Sequence, residues 1–182
     1  MSTQPWNIDT THSSISFSVR HMVFAKVRGQ FRDWKGTVQL DPDDLAHGRA
    51  QVEIDAASID TGVADRDTHL RSPDFFDVEA FPKLRFASTS MEHVGGERYR
   101  LHGDLTIRDV TRQVVLDVEY GGRAKDPWGN TRAAFTAKTA IDRTDFGLKW
   151  NQLLEAGGVL VGERIEIELE VQAVAVSGAQ AA

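Results

Sequence analysis

A small set of charged and ionisable residues is the first place to look for chemistry in this chain. These residues are His21, Arg66, Asp67, Arg143 and Asp145. Arginine and aspartate near a histidine that accepts or donates a proton are typical of general acid–base catalysis. Charges spread so widely along a sequence also form structural networks, so the alternative is a set of ion pairs that only fastens the fold.

Arg66 and Asp67 lie in SIDTGVADRDTHLRSPDFFD, residues 58–77, where the alternation of apolar and polar residues stops. Helical spacing puts both charges on one stripe with two apolar residues, so both are predicted to face inward. A buried charge needs a counter-charge or hydrogen bonds. Candidate counter-charges for Arg66 include Asp145 and the acids of DFFD. A candidate for Asp67 is Arg143.

The same segment predicts a short helical flap over the open end of a barrel. Asp60 or Thr61 is expected to cap its first helix. Asp65 and His69 lie four residues apart on another face and are predicted to meet solvent.

A second signal, Ser72 before Pro73, indicates a turn that starts with proline at the first helical position. Three phenylalanines follow it and are expected to plug the apolar mouth: Phe75, Phe76 and Phe81.

His21 shares the parity of Phe17 and Val19 on a predicted strand, so its ring is expected to point inward. It is either a polar anchor for a ligand head group or a histidine hydrogen-bonded at the barrel end. The sequence has no cysteine, no HExxH and no close histidine pair, so we expect no metal site. It also lacks GxSxG, P-loop and GxGxxG motifs, and we expect no required cofactor.

The elements that must position these residues are strands. In RIEIELEVQA, Ile165, Ile167 and Leu169 alternate with glutamates, which is typical of a half-buried strand. Similar segments recur through most of the chain, and one-sided strands favour antiparallel sheet. About eight or more such strands must close into a barrel or stack as a sandwich. A parity shift near Arg32 and Asp33 predicts a β-bulge or bend that helps the sheet close.

Composition indicates one globular domain. The chain has 182 residues, 41% of them hydrophobic, and a formal net charge of -6, which argues against a general nucleic-acid binder. It contains no stretch of about 20 apolar residues and no signal-peptide pattern at its start, so we expect a cytoplasmic protein without stable membrane insertion. The predicted barrel domain is residues 6–176, between a flexible N-terminus, residues 1–5, and a flexible tail, residues 177–182.

Several segments, in this order and spacing, closely resemble the YceI-like family of lipocalin-like, polyisoprenoid-binding proteins. They are DTTHSSISFSVRHM (9–22), GQF (29–31), SIDTG (58–62), RDTHLRSPDFFD (66–77), FPKLRFAS (81–88), GDLTIRDVTRQV (103–114) and DRTDFG (142–147). The resemblance runs from about Trp6 to Val174. One departure is Asp109, where the family pattern commonly has glycine, and a carboxylate there could change a tight turn.

The resemblance implies an all-β, antiparallel, eight-stranded extended barrel around a long apolar tunnel. It implies a non-catalytic protein that carries or sequesters an isoprenoid lipid, of the polyprenyl or quinone type, and it makes a homodimer plausible. The residues expected to line the tunnel are Phe17, Val19, Phe31, Trp34, Phe76, Phe86, Leu101, Leu105, Phe135 and Phe146. For each of them plain core packing is the alternative, because inward aromatic residues ordinarily fill cores.

Two other functions stay open at this point. The first is an enzyme that acts on a small apolar or isoprenoid substrate at the barrel mouth. The second is an interaction module whose barrel is solidly packed and whose edges or loops contact a protein partner. Trp128, in the turn DPWGN, either packs in its loop or, if exposed, assists dimerisation or membrane docking.

Overall fold

The computed structural model describes residues 3–155 and 158–176. Within these ranges the chain forms eleven β-strands, one α-helix and three short 3-10 helices. The strands are β1 (Gln4–Ile8), β2 (Ser14–His21), β3 (Ala25–Phe31), β4 (Trp34–Leu40), β5 (Arg49–Asp55), β6 (Ile59–Asp60), β7 (Lys83–Gly95), β8 (Arg98–Ile107), β9 (Val110–Lys125), β10 (Thr131–Asp142) and β11 (Val161–Ala175). The helix α1 is Ala64–Arg71, and the 3-10 helices are Leu45–His47, Ala56–Ser58 and Arg143–Phe146.

Eight of the strands close into an antiparallel barrel. The order around it is β1, β4, β5, β7, β8, β9, β10 and β11, and pairing of β1 with β11 completes the ring. The predicted eight-stranded all-β barrel is therefore confirmed. Closure also leaves these strands few unpaired edges.

The long strand β11 makes the barrel an extended one. Its C-terminal residues 173–175 pair with β1, whereas its residues 161–170 pair with β2. β2 in turn pairs with β3 along the full length of β3, and two residues of β3 pair with the short β6. The wall therefore continues beyond the closed ring on the side of β2 and β3.

The predicted bend at Arg32 and Asp33 is present, and it is a change of partner strand. β3 ends at Phe31 and pairs with β2, while β4 begins at Trp34 and pairs with β1. Backbone hydrogen bonds hold the link, since Arg32 N donates to the carbonyl of Ser58. The chain thus passes from one half of the wall to the other within two residues.

Alternation places the apolar residues inside, as in β11, where Ile165, Ile167 and Leu169 point inward and the intervening glutamates are exposed. One end of the barrel is sealed by a packed cluster, which we call the closed end. Its buried residues are Trp6, Leu40, Leu45, Ala133, Ala173 and Ala175.

The flap between β6 and β7 forms largely as the sequence predicts. α1 begins at Ala64, and the backbone at the N-cap position belongs to Val63 rather than to Asp60 or Thr61. Ser72 then opens a turn in which Phe75 N donates to the Ser72 carbonyl. Leu70 and Phe76 pack against the main core cluster, so the flap is anchored to the barrel by apolar contacts.

At the N-terminus the structure differs from the sequence prediction. β1 begins at Gln4, which pairs with Leu40, so residues 4 and 5 belong to the barrel rather than to a flexible segment. The predicted flexible tail, residues 177–182, lies outside the described residues.

The turn that contains Asp109 joins β8 to β9 with two residues. Its positive φ, 57°, falls on Arg108, and Asp109 has no positive φ. The carboxylate that departs from the family pattern therefore does not occupy the left-handed position of the turn.

No helix in the described part of the chain is both long enough and apolar enough to cross a membrane.

Candidate functional site

The inward faces of the strands and the flap enclose an apolar cavity of about 270 Å³, which we call the main cavity. Strands β2, β3, β7, β8 and β11 contribute aliphatic and aromatic side chains, and α1 covers one side. Most polar lining groups gather at one end, the end where β11 begins. There the lining side chains are only half-buried, and we call them the mouth: His21, Arg66, His69, Trp150 and Leu160.

A second cavity of about 100 Å³ lies between the main cavity and the closed end. It is lined by apolar side chains, among them Trp34, Leu101 and Phe135. Four residues line both cavities: Val52, Phe86, Leu116 and Leu169. The two spaces therefore lie in line along the barrel, with these side chains as the boundary.

Phe86 holds its position at this boundary because the facing strand carries a glycine. A Cβ atom on Gly103 would lie 2.5 Å from Cζ of Phe86, so the aromatic ring rests directly on the backbone of β8. Gly29 on β3 gives the ring of Phe17 the same close approach. Glycine at these positions lets large rings lie flat against the wall and leaves the centre of the barrel open.

The structure places nine of the ten predicted lining residues at the two cavities. Those at the main cavity are Phe17, Val19, Phe31, Phe76, Phe86 and Leu105. Those at the second cavity are Trp34, Phe86, Leu101 and Phe135. Phe146 lines neither cavity, because it is fully buried in the core cluster beneath the main cavity.

Two of the three phenylalanines expected to plug the mouth do lie at the main cavity, namely Phe75 and Phe76. Phe81 lies outside both cavities. Its ring instead packs under the guanidinium of Arg108, with 5.5 Å from Cζ to the ring centroid.

Thr61 is the partner of both inward charges of the flap. Oδ1 of Asp67 accepts hydrogen bonds from Thr61 N at 2.9 Å and from Thr61 Oγ1 at 2.5 Å. Arg66 donates from Nε to Thr61 Oγ1 at 2.7 Å and from Nη2 to the Thr61 carbonyl at 2.9 Å. Asp67 is buried and Arg66 lines the cavity, so this triad pins the first turn of α1 to the end of β6.

The predicted ion pairs of the flap are wrong. Across residues 3–155 and 158–176, no carboxylate lies within ion-pairing distance of Arg66, and Arg143 makes no ion pair with Asp67. Asp145 is exposed and does not reach the mouth. The hydroxyl and backbone of Thr61 satisfy both charges at shorter range, which removes the need for distant counter-charges.

Arg143 is a buried cation that is satisfied by carbonyl groups. Only 3% of it is exposed. Its guanidinium donates to the carbonyls of Leu148, Gly162, Trp150 and Val161 at 2.6, 2.8, 3.0 and 3.2 Å, respectively. Burial lowers the pKa of this guanidinium, and the charges of Glu163 and Asp142 oppose that shift. Arginine stays protonated throughout the physiological range, so the group acts as a fixed fastener of the 147–162 connection.

His69 meets solvent only in part, since 38% of its side chain is exposed and its ring also lines the main cavity. Its ring lies 4.5 Å from Trp150 and 5.1 Å from Phe75, centroid to centroid, in edge-to-face arrangements. Nε2 of His69 lies 2.8 Å from a carboxylate oxygen of Asp74. The turn after the short helix brings Phe75 back under α1, so this face of the helix becomes part of the mouth. Asp65 is exposed, as expected.

His21 lies at the mouth at the end of β2, and its backbone pairs with Val161. Its imidazole has no hydrogen-bond partner within the described ranges, which differs from the interpretation of a histidine fixed at the barrel end. Nor do the residues that the structure describes contain a group of three or more acidic or histidine side chains placed to hold a metal ion. The mouth thus combines one unengaged imidazole with charges that are already hydrogen-bonded.

The profile of the YceI-like domain family matches residues 6–173. The chain belongs to the YceI-like family. This YceI-like chain is 40% identical over 143 residues to a UPF0312 protein of Photorhabdus laumondii, an alignment that covers 79% of this chain and 74% of the relative.

Solved structures show the same fold. The Campylobacter jejuni YCEI protein is 30% identical, with a TM-score of 0.74 over 87% of this chain and 90% of that one. A polyisoprenoid binding domain from Saccharophagus degradans has a TM-score of 0.68 over 94% of this chain and 98% of that one. At 15% identity, the second likeness shows a shared fold alone.

Sequence reasoning missed some side chains that build the mouth of this YceI-like chain. The sequence pattern predicts Thr61 only as a possible helix cap, and it assigns no role to Trp150. Helical spacing identifies Arg66 and Asp67 as inward residues of α1. It does not predict that the hydroxyl of Thr61 lies between them. The signal that could have indicated Trp150 is a large aromatic residue shortly after DRTDFG, in a segment without strand alternation.

Proposed function

We propose that this YceI-like chain binds a long isoprenoid lipid, of the polyprenyl or quinone type, in its barrel and carries it without changing its bonds. The observation that carries the proposal is the pair of in-line apolar cavities with polar groups gathered at one end. A hydrocarbon tail lies along the cavities toward the closed end, and a polar head group stays at the mouth. The name of the Saccharophagus degradans domain supports the same ligand class.

The hydrocarbon tail supplies most of the binding free energy in this proposal. Each CH₂ group moved from water to an apolar environment contributes about 0.8 kcal/mol. A branched tail also fits walls in which rings and β-branched side chains alternate. Strong polar anchors are then not needed, and the polar groups that line the cavity at the mouth include His21, Arg66 and His69.

The hydrogen bonds at the mouth support binding rather than catalysis. A general acid or base must reach the reacting atom with a free position. Asp67 accepts two hydrogen bonds from Thr61, and Arg143 donates to four carbonyls. These groups are engaged in holding the flap and the 147–162 connection. In the described part of the chain, His21 and Asp145 make no side-chain hydrogen bond or ion pair, and of these two only His21 lines the main cavity.

A chain-length series tests the proposal. Polyprenyl alcohols of increasing length are titrated into the purified protein, and tryptophan emission is followed because Trp150 and Trp34 line the two cavities. We expect affinity to rise with each isoprene unit until both cavities are filled and then to level off. Affinity that does not depend on chain length would contradict burial of the tail.

The expected cytoplasmic location and homodimer stay predictions, to be checked by cell fractionation and light scattering.

A further inference from the structure

The hairpin between β2 and β3 presents three consecutive apolar side chains to solvent. Met22 and Val23 are each 50% exposed, and Phe24 is 92% exposed. Scattered apolar residues are normal on protein surfaces, but contiguous apolar patches mark binding sites for proteins or membranes.

The backbone of this turn argues that these side chains are there for binding. Met22 and Val23 have φ angles of 53° and 69°. Two successive residues with positive φ are typical of hairpin turns formed by asparagine and glycine. A β-branched residue such as valine is strongly disfavoured in that region. Folding alone would therefore favour other residues here, and outliers of this kind cluster at functional positions.

A neighbouring loop extends the patch. Leu153 is 81% exposed and Val159 is 36% exposed, and the two residues form a β-bridge. The hairpin is tied to this loop, because Met22 N donates to the carbonyl of Leu160 at 2.8 Å. A Cβ on Gly158 would lie 3.2 Å from the side chain of Val23. We call the joined surface the apolar tip: Met22, Val23, Phe24, Leu153 and Val159.

The strands behind the apolar tip are basic, although the whole chain carries a net charge of -6. Residues 14–32 contain four arginines or lysines and no aspartate or glutamate. Arg20 and Lys26 face each other across the hairpin, and Arg28 follows on the exposed face. Glu166 of β11 pairs with Lys26 at 3.3 Å, and Asp60 pairs with Arg32. Among the residues that the structure describes, Arg20 and Arg28 have no ion-pair partner, so they carry the unpaired positive charge of the hairpin. Aromatic and aliphatic residues next to cations are the composition of segments that bind anionic lipid surfaces.

The apolar tip adjoins the mouth of the main cavity. His21 and Leu160, which lie directly beside Met22 and Val159 in the chain, both line that cavity. A surface that held the apolar tip would therefore lie next to the opening through which a lipid enters.

We propose that the apolar tip docks this protein on an anionic phospholipid bilayer, with Phe24 inserted among the acyl chains and the arginines of the hairpin among the head groups. Docking would allow lipid to exchange through the mouth, and this purpose rests on the proposed function. Docking itself does not require an isoprenoid ligand.

Flotation with vesicles of phosphatidylcholine and phosphatidylglycerol, containing no isoprenoid, tests the proposal. The unmodified protein is expected to float with these vesicles. Phe24→Asp is expected to lower the bound fraction at least about tenfold, because it removes a large apolar side chain and adds a negative charge. Val115→Asp is the matched control, since it adds the same charge at an apolar residue of β9 that is 41% exposed and lies outside the apolar tip. That variant is expected to float as the unmodified protein does.

A second variant separates docking from turn stability. Met22→Asn combined with Val23→Gly suits the positive φ angles, so its melting temperature is expected to rise while flotation is lost. Flotation that survives this double change, or Phe24→Asp protein that floats normally, would overturn the proposal. So would unmodified protein that stays unbound and forms a dimer that Phe24→Asp dissociates, because the apolar tip would then be covered by a second copy. Vesicle binding without isoprenoid uptake would contradict only the proposed function.

Discussion

Arg143 shows how a single residue holds the mouth in shape. It is a buried cation with no carboxylate partner in the described part of the chain, and it donates four hydrogen bonds to backbone carbonyls of residues 148–162. Hydrogen bonds to a charged group contribute more than neutral ones, and a buried carbonyl left without its donor is costly.

Replacement of this arginine is therefore expected to be strongly destabilising. We expect Arg143→Met to lower the free energy of unfolding by about 2–4 kcal/mol, measured by urea denaturation. Arg164→Met is the control, because the Arg164 side chain is 73% exposed and its ion pair with Glu166 is long, at 3.9 Å. Equal stability of the two variants would show that the carbonyl contacts contribute little.

At the closed end, a second arginine stabilises two carboxylates. Arg132 donates to Asp9 at 2.7 Å and to Asp126 at 2.9 Å. The hydrogen bonds from Arg132 and His12 hold the pKa of the Asp9 carboxyl well below its usual range. Burial raises the pKa of Asp126, but hydrogen bonds from Asn130 and Arg132 outweigh it and lower that pKa from 3.8 to about 2.

These shifts predict how stability depends on pH. A carboxyl whose pKa is lower in the folded state binds fewer protons there, so its contribution is complete above pH 3.8 and is lost as the pH falls toward 2. Arg132→Gln is expected to move the acid unfolding midpoint to higher pH, as followed by circular dichroism. Arg123→Gln, which removes an exposed pair with Asp43, is expected to leave the midpoint in place. A midpoint that moves equally in both variants would contradict this account.

Residue spacing predicted which charges of the flap turn inward but not what they bind. Helical spacing places Arg66 and Asp67 on one face, and they are on it. Their partner Thr61 precedes the helix. Residue spacing cannot predict that one hydroxyl forms hydrogen bonds with both charged side chains. Spacing predicts the solvent contact that His69 partly has, but it does not predict the contacts of its ring with Phe75 and Trp150, because these residues lie outside the helix.

Among the structural elements, the pair of strands β7 and β8 controls the boundary between the cavities. Phe86 lies on Gly103, where a Cβ would come within 2.5 Å of the ring and within 2.8 Å of the carbonyl oxygen of Ala87. The second of these contacts is with backbone, which cannot rotate away.

Gly103→Ala is expected to lower the free energy of unfolding by about 1–3 kcal/mol, because an added methyl group overpacks this site. Gly121→Ala is the matched control in β9, since its Cβ would meet Ala134 at 3.4 Å, an ordinary contact. Thermal denaturation of both variants measures the difference. If Gly103→Ala is as stable as its control, the ring of Phe86 moves freely and does not form a fixed boundary.

The alternation of apolar and polar residues predicted most of the strands correctly because each strand has one wet face. The alternation could not predict the change of partner strand at Arg32 and Asp33. A shift in parity indicates a bend, but it does not show which strands pair on either side of that bend. It also could not show that β11 serves two neighbours, because pairing depends on register between distant segments. The sequence predicts a flexible N-terminus that includes the first residues of Gln4–Ile8. In the structure this segment pairs with β4 and β11 and closes the barrel.

At the scale of the whole molecule, the barrel has one sealed end and one polar mouth. The closed end is filled by Trp6, Leu40 and Leu45, so the mouth is the proposed entrance for a ligand. The apolar tip lies next to the mouth, and the mouth leads to the main cavity and then to the second cavity. The proposed path of a lipid therefore runs from a bilayer through the mouth to a buried site.

The most direct test is the identity of what the protein holds when it is purified from cells. Lipids are extracted from the folded protein and from Ile167→Trp, which places a larger ring inside the main cavity. Glu168→Trp is the control, because it puts the same ring on the exposed face of β11. Mass spectrometry is expected to find an isoprenoid lipid in the unmodified protein and in Glu168→Trp, and little or none in Ile167→Trp. Protein that is empty in every preparation, or an Ile167→Trp variant that is folded and fully loaded, would contradict the central claim.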